Sequence, residues 1–166
     1  RFEIVLPCHA AVVRHDPVRE SPVTQPGSGT VLVVEDQQQV RRSLTHLLEE
    51  AGYEVISAES AEQALQLARK REERIDLLVS DVIMPGVSGV ELSRRLLALH
   101  PNLAVLLVSG YAGGEIHVVA ELGDNVQFLQ KPFDAVSLTS AARAVLERAR
   151  ANPRPEPLTA ASRTPV

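Results

Sequence analysis

Short runs of β-branched and aliphatic residues alternate five times with segments of helical periodicity between residues 30 and 150. Strands that alternate with helices through short connections form a parallel sheet, since each crossover between parallel strands needs a helix-length stretch of chain. Right-handed crossovers then place helices on both faces. We therefore expect an α/β fold, a doubly wound five-stranded parallel sheet. Its predicted strands are 30–34, 53–57, 75–80, 103–108 and 126–130.

Apolar residues at spacings of three and four predict the helices between these strands. Ser60 is placed to cap one helix at its start, and Gly52 to end another. The predicted helices cover about 40–51, 61–68, 90–99, 116–122 and 135–150, and the third carries apolar residues from Val90 to Leu99.

The composition narrows the class of protein. Hydrophobic residues make up 45% of the chain, which is enough for a core, and the net charge of −4 predicts no nucleic-acid surface. The single cysteine, Cys8, excludes an internal disulfide and fits a reducing cytoplasm. No apolar run approaches the roughly 20 residues of a membrane helix, so we expect no membrane contact by this segment.

Polar side chains follow four of the predicted strands where each strand ends. Glu35 and Asp36 follow the first strand, Asp81 the third, Ser109 the fourth and Lys131 the fifth. In a doubly wound sheet these ends share one rim, where ligands bind. Crowded carboxylates repel one another unless a cation lies among them, and oxygen ligands favour Mg²⁺. The sequence therefore predicts a magnesium site with a hydroxyl and an amine beside it.

Four motifs in order carry a family resemblance: Val-Val-Glu35-Asp36, Asp81-Val-Ile-Met-Pro with Gly89, Ser109-Gly110, and Lys131-Pro-Phe. Each is short, but each stands at the end of the expected strand. From residue 30 to about 148 the chain resembles the receiver domain of bacterial two-component response regulators. The resemblance implies a flavodoxin-like sheet with strand order 2-1-3-4-5.

The resemblance also assigns roles at the acidic rim. Asp81 would be the phosphoacceptor, taking a phosphoryl group from a phosphohistidine. Mg²⁺ would be held by Asp36, Asp81, Glu35 and the backbone carbonyl of Ile83. The receiver would catalyse its own phosphorylation and dephosphorylation.

Further positions would bind the phosphoryl group or respond to it. Lys131 and Ser109 would contact the phosphoryl oxygens, and Ser109 with Phe128 would form the switch. An aromatic residue in a strand is as often a core residue, so both readings of Phe128 stay open. The loops beside the site would be shaped by Met84, Pro85, Gly89 and Pro132, whose bond to Lys131 is cis in the family.

Two other functions are compatible with the same topology. A flavodoxin-like binding protein needs a phosphate loop after the first strand, where Glu35 and Asp36 would instead repel a phosphate lacking Mg²⁺. An aspartyl phosphatase needs a second acid two residues past its nucleophile, where this chain has Ile83.

The two ends of the chain suggest its context. Residues 1–7 resemble the last strand of a kinase ATP-binding domain, 8–29 read as a flexible linker, 30–150 as the receiver and 151–166 as a disordered tail. This order predicts the C-terminal receiver of a hybrid sensor histidine kinase, with a stand-alone single-domain response regulator as the alternative. The kinase's own nucleotide motifs are absent from this sequence.

That context also implies partners and a location. The expected partners are a histidine kinase core, in cis or in trans, or a histidine phosphotransfer protein. The resemblance also allows a dimer through the fourth predicted helix, the fifth strand and the last helix. The segment would be cytoplasmic, and its parent protein can be membrane-anchored.

Overall fold

The computed structural model describes residues 27–70, 74–110 and 121–153. The strands are β1 (Thr30–Val34), β2 (Glu54–Ala58), β3 (Leu77–Asp81), β4 (Ala104–Ser109) and β5 (Val126–Gln130), and the helices are α1 (Gln38–Glu50), α2 (Ala61–Lys70), α3 (Gly89–Leu99) and α4 (Ala135–Ala151). The strands form one parallel sheet in the order β2-β1-β3-β4-β5. The predicted fold class and strand order are confirmed.

Two apolar clusters, one on each face of the sheet, form the core. Along β1, Leu32 and Val34 belong to the first cluster, which includes residues of α2 and α3. Val31 and Val33 belong to the second, which includes residues of α1 and α4. Successive side chains of a strand point to opposite faces, so a strand covered on both sides buries the side chains of both faces, and most of these are apolar. This explains why β1, β3 and β4 are buried along their whole length.

The ends of several helices follow from local chemistry. The hydroxyl of Ser60 accepts a hydrogen bond from the Gln63 N–H at 3.2 Å, as expected of a cap. Gly52 takes a φ of +94° after α1, a conformation that glycine adopts without strain. At the start of α4, the Asp134 carboxylate accepts from the Ser137 N–H at 2.7 Å.

Some sequence-based boundaries were shifted. Tyr53 was predicted to begin the second strand but precedes β2, and its ring packs against Gly27 and the second cluster. Leu99 belongs to the apolar pattern that predicted the third helix, and it is 49% exposed at the last residue of α3. The predicted helix at 116–122 lies outside the described residues except for Glu121 and Leu122, which are helical.

The chain segment that enters β1 is attached to the domain. Gly27 N–H donates to the Ala51 carbonyl at 2.8 Å, and Arg150 donates to the Ser28 carbonyl at 2.8 Å. Within the described ranges, no helix is both long and apolar enough to cross a bilayer.

The strand order reverses between β1 and β3, because the chain first moves outward to β2 and then returns to the other side of β1. A crevice opens at such a switch point, beyond the carboxyl ends of the strands. The predicted site residues follow these two strands.

Candidate functional site

Three carboxylates meet at the switch point. Glu35 and Asp36 directly follow β1, and Asp81 is the last residue of its neighbour β3. One oxygen atom from each lies within 4.8 Å of the others. Glu35 is 0% exposed and Asp81 is 8% exposed, whereas Asp36 faces solvent. The predicted acidic cluster is therefore present.

Lys131 brings an ammonium group into this cluster from the end of β5. Its Nζ donates to Asp81 Oδ2 at 2.7 Å and to Glu35 Oε2 at 3.2 Å. Its main-chain N–H donates to the Ser109 carbonyl at 2.7 Å and thereby continues the pairing of β4 with β5. The bond from Lys131 to Pro132 is cis, as the family resemblance implied.

Burial and neighbouring charges have opposite effects on the pKa values of Glu35 and Lys131. Burial raises the pKa of Glu35, although the Gln37 N–H and Lys131 partly oppose the rise. Burial would lower the pKa of Lys131, but its hydrogen bond to Asp81 and the charges of Glu35 and Asp81 outweigh that effect and raise it. The raised pKa of Lys131 therefore favours the ammonium form.

Neighbouring residues hold Asp81 in position from two sides. The Ile83 N–H donates to Asp81 Oδ1 at 3.1 Å, and the Ser80 hydroxyl donates to the Asp81 carbonyl at 3.0 Å. Gly89 at the start of α3 lies against the same carbonyl, and a Cβ there would overlap it. Both carboxylate oxygens of Asp81 thus accept a hydrogen bond, one from Ile83 and the other from Lys131.

A contact that the sequence did not predict holds the turn with the first two acids. Arg41 on α1 donates from Nη1 to the Glu35 carbonyl at 2.6 Å and to the Asp36 carbonyl at 3.3 Å. The Gln37 N–H donates to Glu35 Oε1 at 3.2 Å. The position of Arg41 in the sequence could have indicated this contact, because a long side chain one turn into a helix can reach back to the loop before it.

Ser109 and Phe128 lie on the same face of the sheet. The register pairs Ser109 with Gln130 and Leu107 with Phe128, so the serine and the aromatic ring are diagonal neighbours across β4 and β5. Ser109 is buried, and half-buried Phe128 packs against the first cluster. This placement is compatible with either reading of Phe128.

The remaining predicted site residues line the loops. Met84 is buried in the first cluster, so it anchors the loop after β3. Ile83 in the same loop is 60% exposed, and Pro85 is also exposed. Pro132 is exposed beside Lys131. The structure therefore brings Lys131 into direct contact with Glu35 and Asp81, places an Asp36 oxygen within 4.8 Å of both acids, and sets the loop residues around them.

The donor set fits Mg²⁺. All the side-chain donors are carboxylate oxygens, the ligands that a hard divalent cation prefers, and opposed oxygens of an octahedral site lie about 4 Å apart. Among the described residues Lys131 pairs with two of the three carboxylates, Glu35 and Asp81, so negative charge remains for a cation to neutralise. Glu35, Asp36 and Asp81 are the residues that would hold it.

A flavodoxin-like sheet with acidic residues and a lysine at its switch point belongs to the doubly wound α/β class, in which ligands bind beyond the carboxyl ends of the strands. The family model for the response regulator receiver domain matches residues 31–143 of this chain. The chain belongs to this family, which functions in two-component signal transduction.

Curated relatives include both multidomain and short proteins. The sensor kinase CckA of Brucella abortus is 36% identical over 122 residues, which cover 74% of this chain and 13% of that protein. The response regulator receiver protein CpdR of the same organism is 33% identical over 103 residues, covering 62% of this chain and 84% of that protein. The matched segment is thus a small part of the first relative and most of the second.

Solved structures agree with the fold. The crystal structure of the receiver domain from the hybrid histidine kinase CckA is 37% identical, with a TM-score of 0.59, covering 71% of this chain and 99% of that one. A receiver domain protein from Clostridium thermocellum is 27% identical, with a TM-score of 0.67, covering 74% and 98%.

Proposed function

We propose that Asp81 accepts a phosphoryl group from a phosphohistidine, with Mg²⁺ held at the acidic cluster. The observation that carries the proposal is the position of the Asp81 carboxylate. It lies at the switch point, among two further acids, with Lys131 Nζ 2.7 Å from one of its oxygens. A carboxylate in this setting can act as a nucleophile.

The transfer would proceed at one carboxylate oxygen. That oxygen of Asp81 attacks the phosphorus and forms a P–O bond, while the P–N bond to the donor imidazole breaks and its electron pair goes to nitrogen. Lys131 keeps its proton and turns from the carboxylate, which loses its charge, to the phosphoryl oxygens. The Ile83 N–H keeps the acceptor oriented.

The cation would be held by Asp36, Asp81 and Glu35, with the Ile83 backbone carbonyl as a further oxygen ligand. Bound Mg²⁺ would supply the positive charge that lets a phosphoryl group approach three carboxylates. Glu35 has a second task, because its Oε2 already accepts from Lys131 at 3.2 Å. It would therefore fix the lysine as well as assist the cation.

Phosphorylation would be transmitted through Ser109 and Phe128. Ser109 would turn toward a phosphoryl oxygen and move the loop that follows β4. The diagonal placement of Phe128 on the same sheet face supports this coupling, because a shift at one side chain changes the space available to the other. The change would be a shift between two packings, biased by the phosphoryl group.

The receiver would work within a hybrid sensor histidine kinase in the cytoplasm. The similarity to the CckA receiver and the predicted kinase strand at 1–7 support this context. The similarity over most of CpdR favours the second candidate, a stand-alone regulator. In either case the partner would be a histidine kinase core or a histidine phosphotransfer protein. The proposal also includes a dimer through the fourth predicted helix (116–122), β5 and the last helix, α4.

Mass spectrometry after incubation with acetyl phosphate and Mg²⁺ tests the acceptor. We expect one base-labile phosphoryl adduct on the wild type and none on Asp81→Asn. Asp124→Asn is the matched control, because Asp124 is an exposed aspartate outside the site, before β5, and this variant should be labelled normally. An unlabelled wild type would refute the proposal, and many turnovers of phosphate release would favour the phosphatase instead.

Thermal unfolding with and without Mg²⁺ tests the cation site. A ligand present at 100 times its Kd stabilises the folded state by about 2.7 kcal/mol, so the wild-type Tm should rise with Mg²⁺. In Asp36→Asn the rise should largely disappear, and the Tm without Mg²⁺ should be slightly higher because carboxylate repulsion is relieved. An equal Mg²⁺-dependent rise in both proteins would exclude Asp36 as a ligand.

The parent context has its own test. The reading frame upstream of Arg1 should encode a kinase ATP-binding domain if the receiver belongs to a hybrid kinase. A start codon close to Arg1 would favour the stand-alone regulator. A phosphorylated histidine phosphotransfer domain should label Asp81 in either case.

A further inference from the structure

We infer that Arg41 is a positioning residue for the acidic site. Its guanidinium holds the turn that carries Glu35 and Asp36, and so keeps both carboxylates oriented for Mg²⁺. The inference rests on the proposed Mg²⁺-dependent function. Its basis is the pair of hydrogen bonds from Arg41 Nη1 to the two successive carbonyls, at 2.6 Å to Glu35 and 3.3 Å to Asp36.

The beginning of α1 lacks the features that usually fix a helix start. Gln37 at the N-cap makes no side-chain capping bond, and the first turn contains no acidic residue. A helix start without a cap leaves the preceding loop weakly held. Here the loop is held from the carbonyl side by Arg41 and at one N–H by the Glu35 carboxylate, which accepts from Gln37.

The surroundings of Arg41 show that the carbonyls are its main partners. Its side chain is only 15% exposed, so the guanidinium is packed beneath the turn. Its other contact, from Nη2 to Glu59, is 3.8 Å long and involves a carboxylate that lies mostly in solvent. An exposed pair of this length contributes little. The short bond to the Glu35 carbonyl therefore dominates.

Two carbonyls held by one planar group fix two consecutive peptide planes. The orientation of these planes sets the directions in which the Glu35 and Asp36 side chains leave the backbone. Mutual repulsion would otherwise drive the carboxylates apart, because Glu35, Asp36 and Asp81 lie within 4.8 Å. A lysine at this position would keep the charge but not the fixed in-plane directions of the two Nη1 N–H bonds.

Arg41 should affect Mg²⁺ affinity in two opposite ways, through its charge and through its hold on the turn. A cationic guanidinium near a cation site repels Mg²⁺, so removal of its charge alone would tighten Mg²⁺ binding. Loss of positioning would weaken binding, since the turn must be ordered before it can hold the cation. Supporting residues behind metal ligands typically contribute about 10-fold or more to affinity. We therefore expect weaker binding when Arg41 is replaced.

Isothermal titration of the full chain with Mg²⁺ alone tests the inference. Arg41→Gln should raise the Kd for Mg²⁺ about 10-fold, and Arg41→Lys should give an intermediate value. The matched control is Arg42→Gln, because Arg42 is exposed and, among the described residues, makes none of these bonds to the turn. Its Kd should stay the same or fall slightly, and the urea midpoints should show that all variants fold.

Two further measurements separate positioning from a purely structural effect. Without Mg²⁺, the Gln37 amide proton should exchange faster with solvent in Arg41→Gln than in the wild type, since its turn is released. With acetyl phosphate, Arg41→Gln should need more Mg²⁺ for half the maximal rate of labelling. At saturating Mg²⁺ its rate should approach that of the wild type, because the bound cation then orders the turn.

The outcomes distinguish this inference from the proposed function. If the wild type binds no Mg²⁺, both are overturned. If the wild type binds Mg²⁺ and Arg41→Gln binds it equally well or more tightly, only the role of Arg41 is overturned. If Arg41→Gln does not fold, Arg41→Lys decides: weaker binding at retained charge supports positioning, and equal binding refutes it.

Discussion

Gly89 at the start of α3 lies directly against the backbone of Asp81 at the end of β3. A Cβ at this position would overlap the Asp81 carbonyl oxygen and would lie 2.8 Å from Ser80 Oγ. The Gly89 N–H also donates to the Val82 carbonyl at 3.1 Å. The close approach lets the loop after β3 fold tightly beside the proposed phosphoacceptor, so this glycine connects the fold to the site.

We expect Gly89→Ala to destabilise the protein. The new methyl group must displace backbone atoms of β3, and overpacking of this kind costs about 1–3 kcal/mol in the free energy of unfolding. Urea denaturation measures the loss. Gly110→Ala serves as the control, because a Cβ at Gly110 meets no atom of the described residues within 4 Å, and we expect stability to stay nearly unchanged. Equal urea midpoints for the two variants would contradict the packing argument.

Lys131→Met should lower the free energy of unfolding near neutral pH by about 1–3 kcal/mol, because Glu35 and Asp81 lose their shared donor. The pKa of Lys131 is raised, so its stabilising effect is full below the ordinary lysine pKa of about 10.4 and is lost as pH rises through the raised value.

The difference in the free energy of unfolding between wild type and Lys131→Met should therefore become smaller at both high and low pH. In alkali the wild type loses its ammonium. As the pH falls, Glu35 takes up a proton at a higher pH than an ordinary glutamate because its pKa is raised. The variant then has less negative charge left without a partner. Urea midpoints measured across pH check both limits, with Lys70→Met at the exposed end of α2 as the control. A difference independent of pH would argue against the ion pairs as its source.

The sequence predicted elements best where both faces of the sheet are covered. The run 30–34 matched β1 because every side chain there is buried and all but Thr30 are apolar. Prediction failed at element ends, where a residue can pack without belonging to the strand or helix. Tyr53 looks like a strand residue but packs over Gly27 before β2 begins, and Leu99 continues the helical stripe past the edge of the core.

For the site, strand order explains what could be predicted. Glu35 and Asp81 meet because β1 and β3 are neighbours, which the alternation of strands and helices and the family motifs together implied. The sequence could not predict that the Lys131 ammonium donates to both Asp81 and Glu35. Those two hydrogen bonds depend on the conformation that the long lysine side chain adopts after β5. Arg41 was missed because it belongs to none of the motifs, and its contacts are to backbone carbonyls rather than to side chains.

Ile83→Asn should shorten the lifetime of the phosphoryl group on Asp81, if the proposed function holds. Ile83 is 60% exposed two residues past Asp81, and we expect its apolar side chain to restrict the approach of an attacking water. An asparagine amide there could hydrogen-bond that water, and one such bond contributes about 1 kcal/mol, or several-fold in rate. The substitution retains the N–H that donates to Asp81 Oδ1.

The half-life is measured by following loss of the adduct after acetyl phosphate is removed. Leu99→Asn is the control, since it replaces another exposed aliphatic residue, at the far end of α3. It should leave the half-life unchanged. A half-life in Ile83→Asn equal to or longer than that of the wild type would show that Ile83 does not limit access of water, and would place control of hydrolysis elsewhere around Asp81.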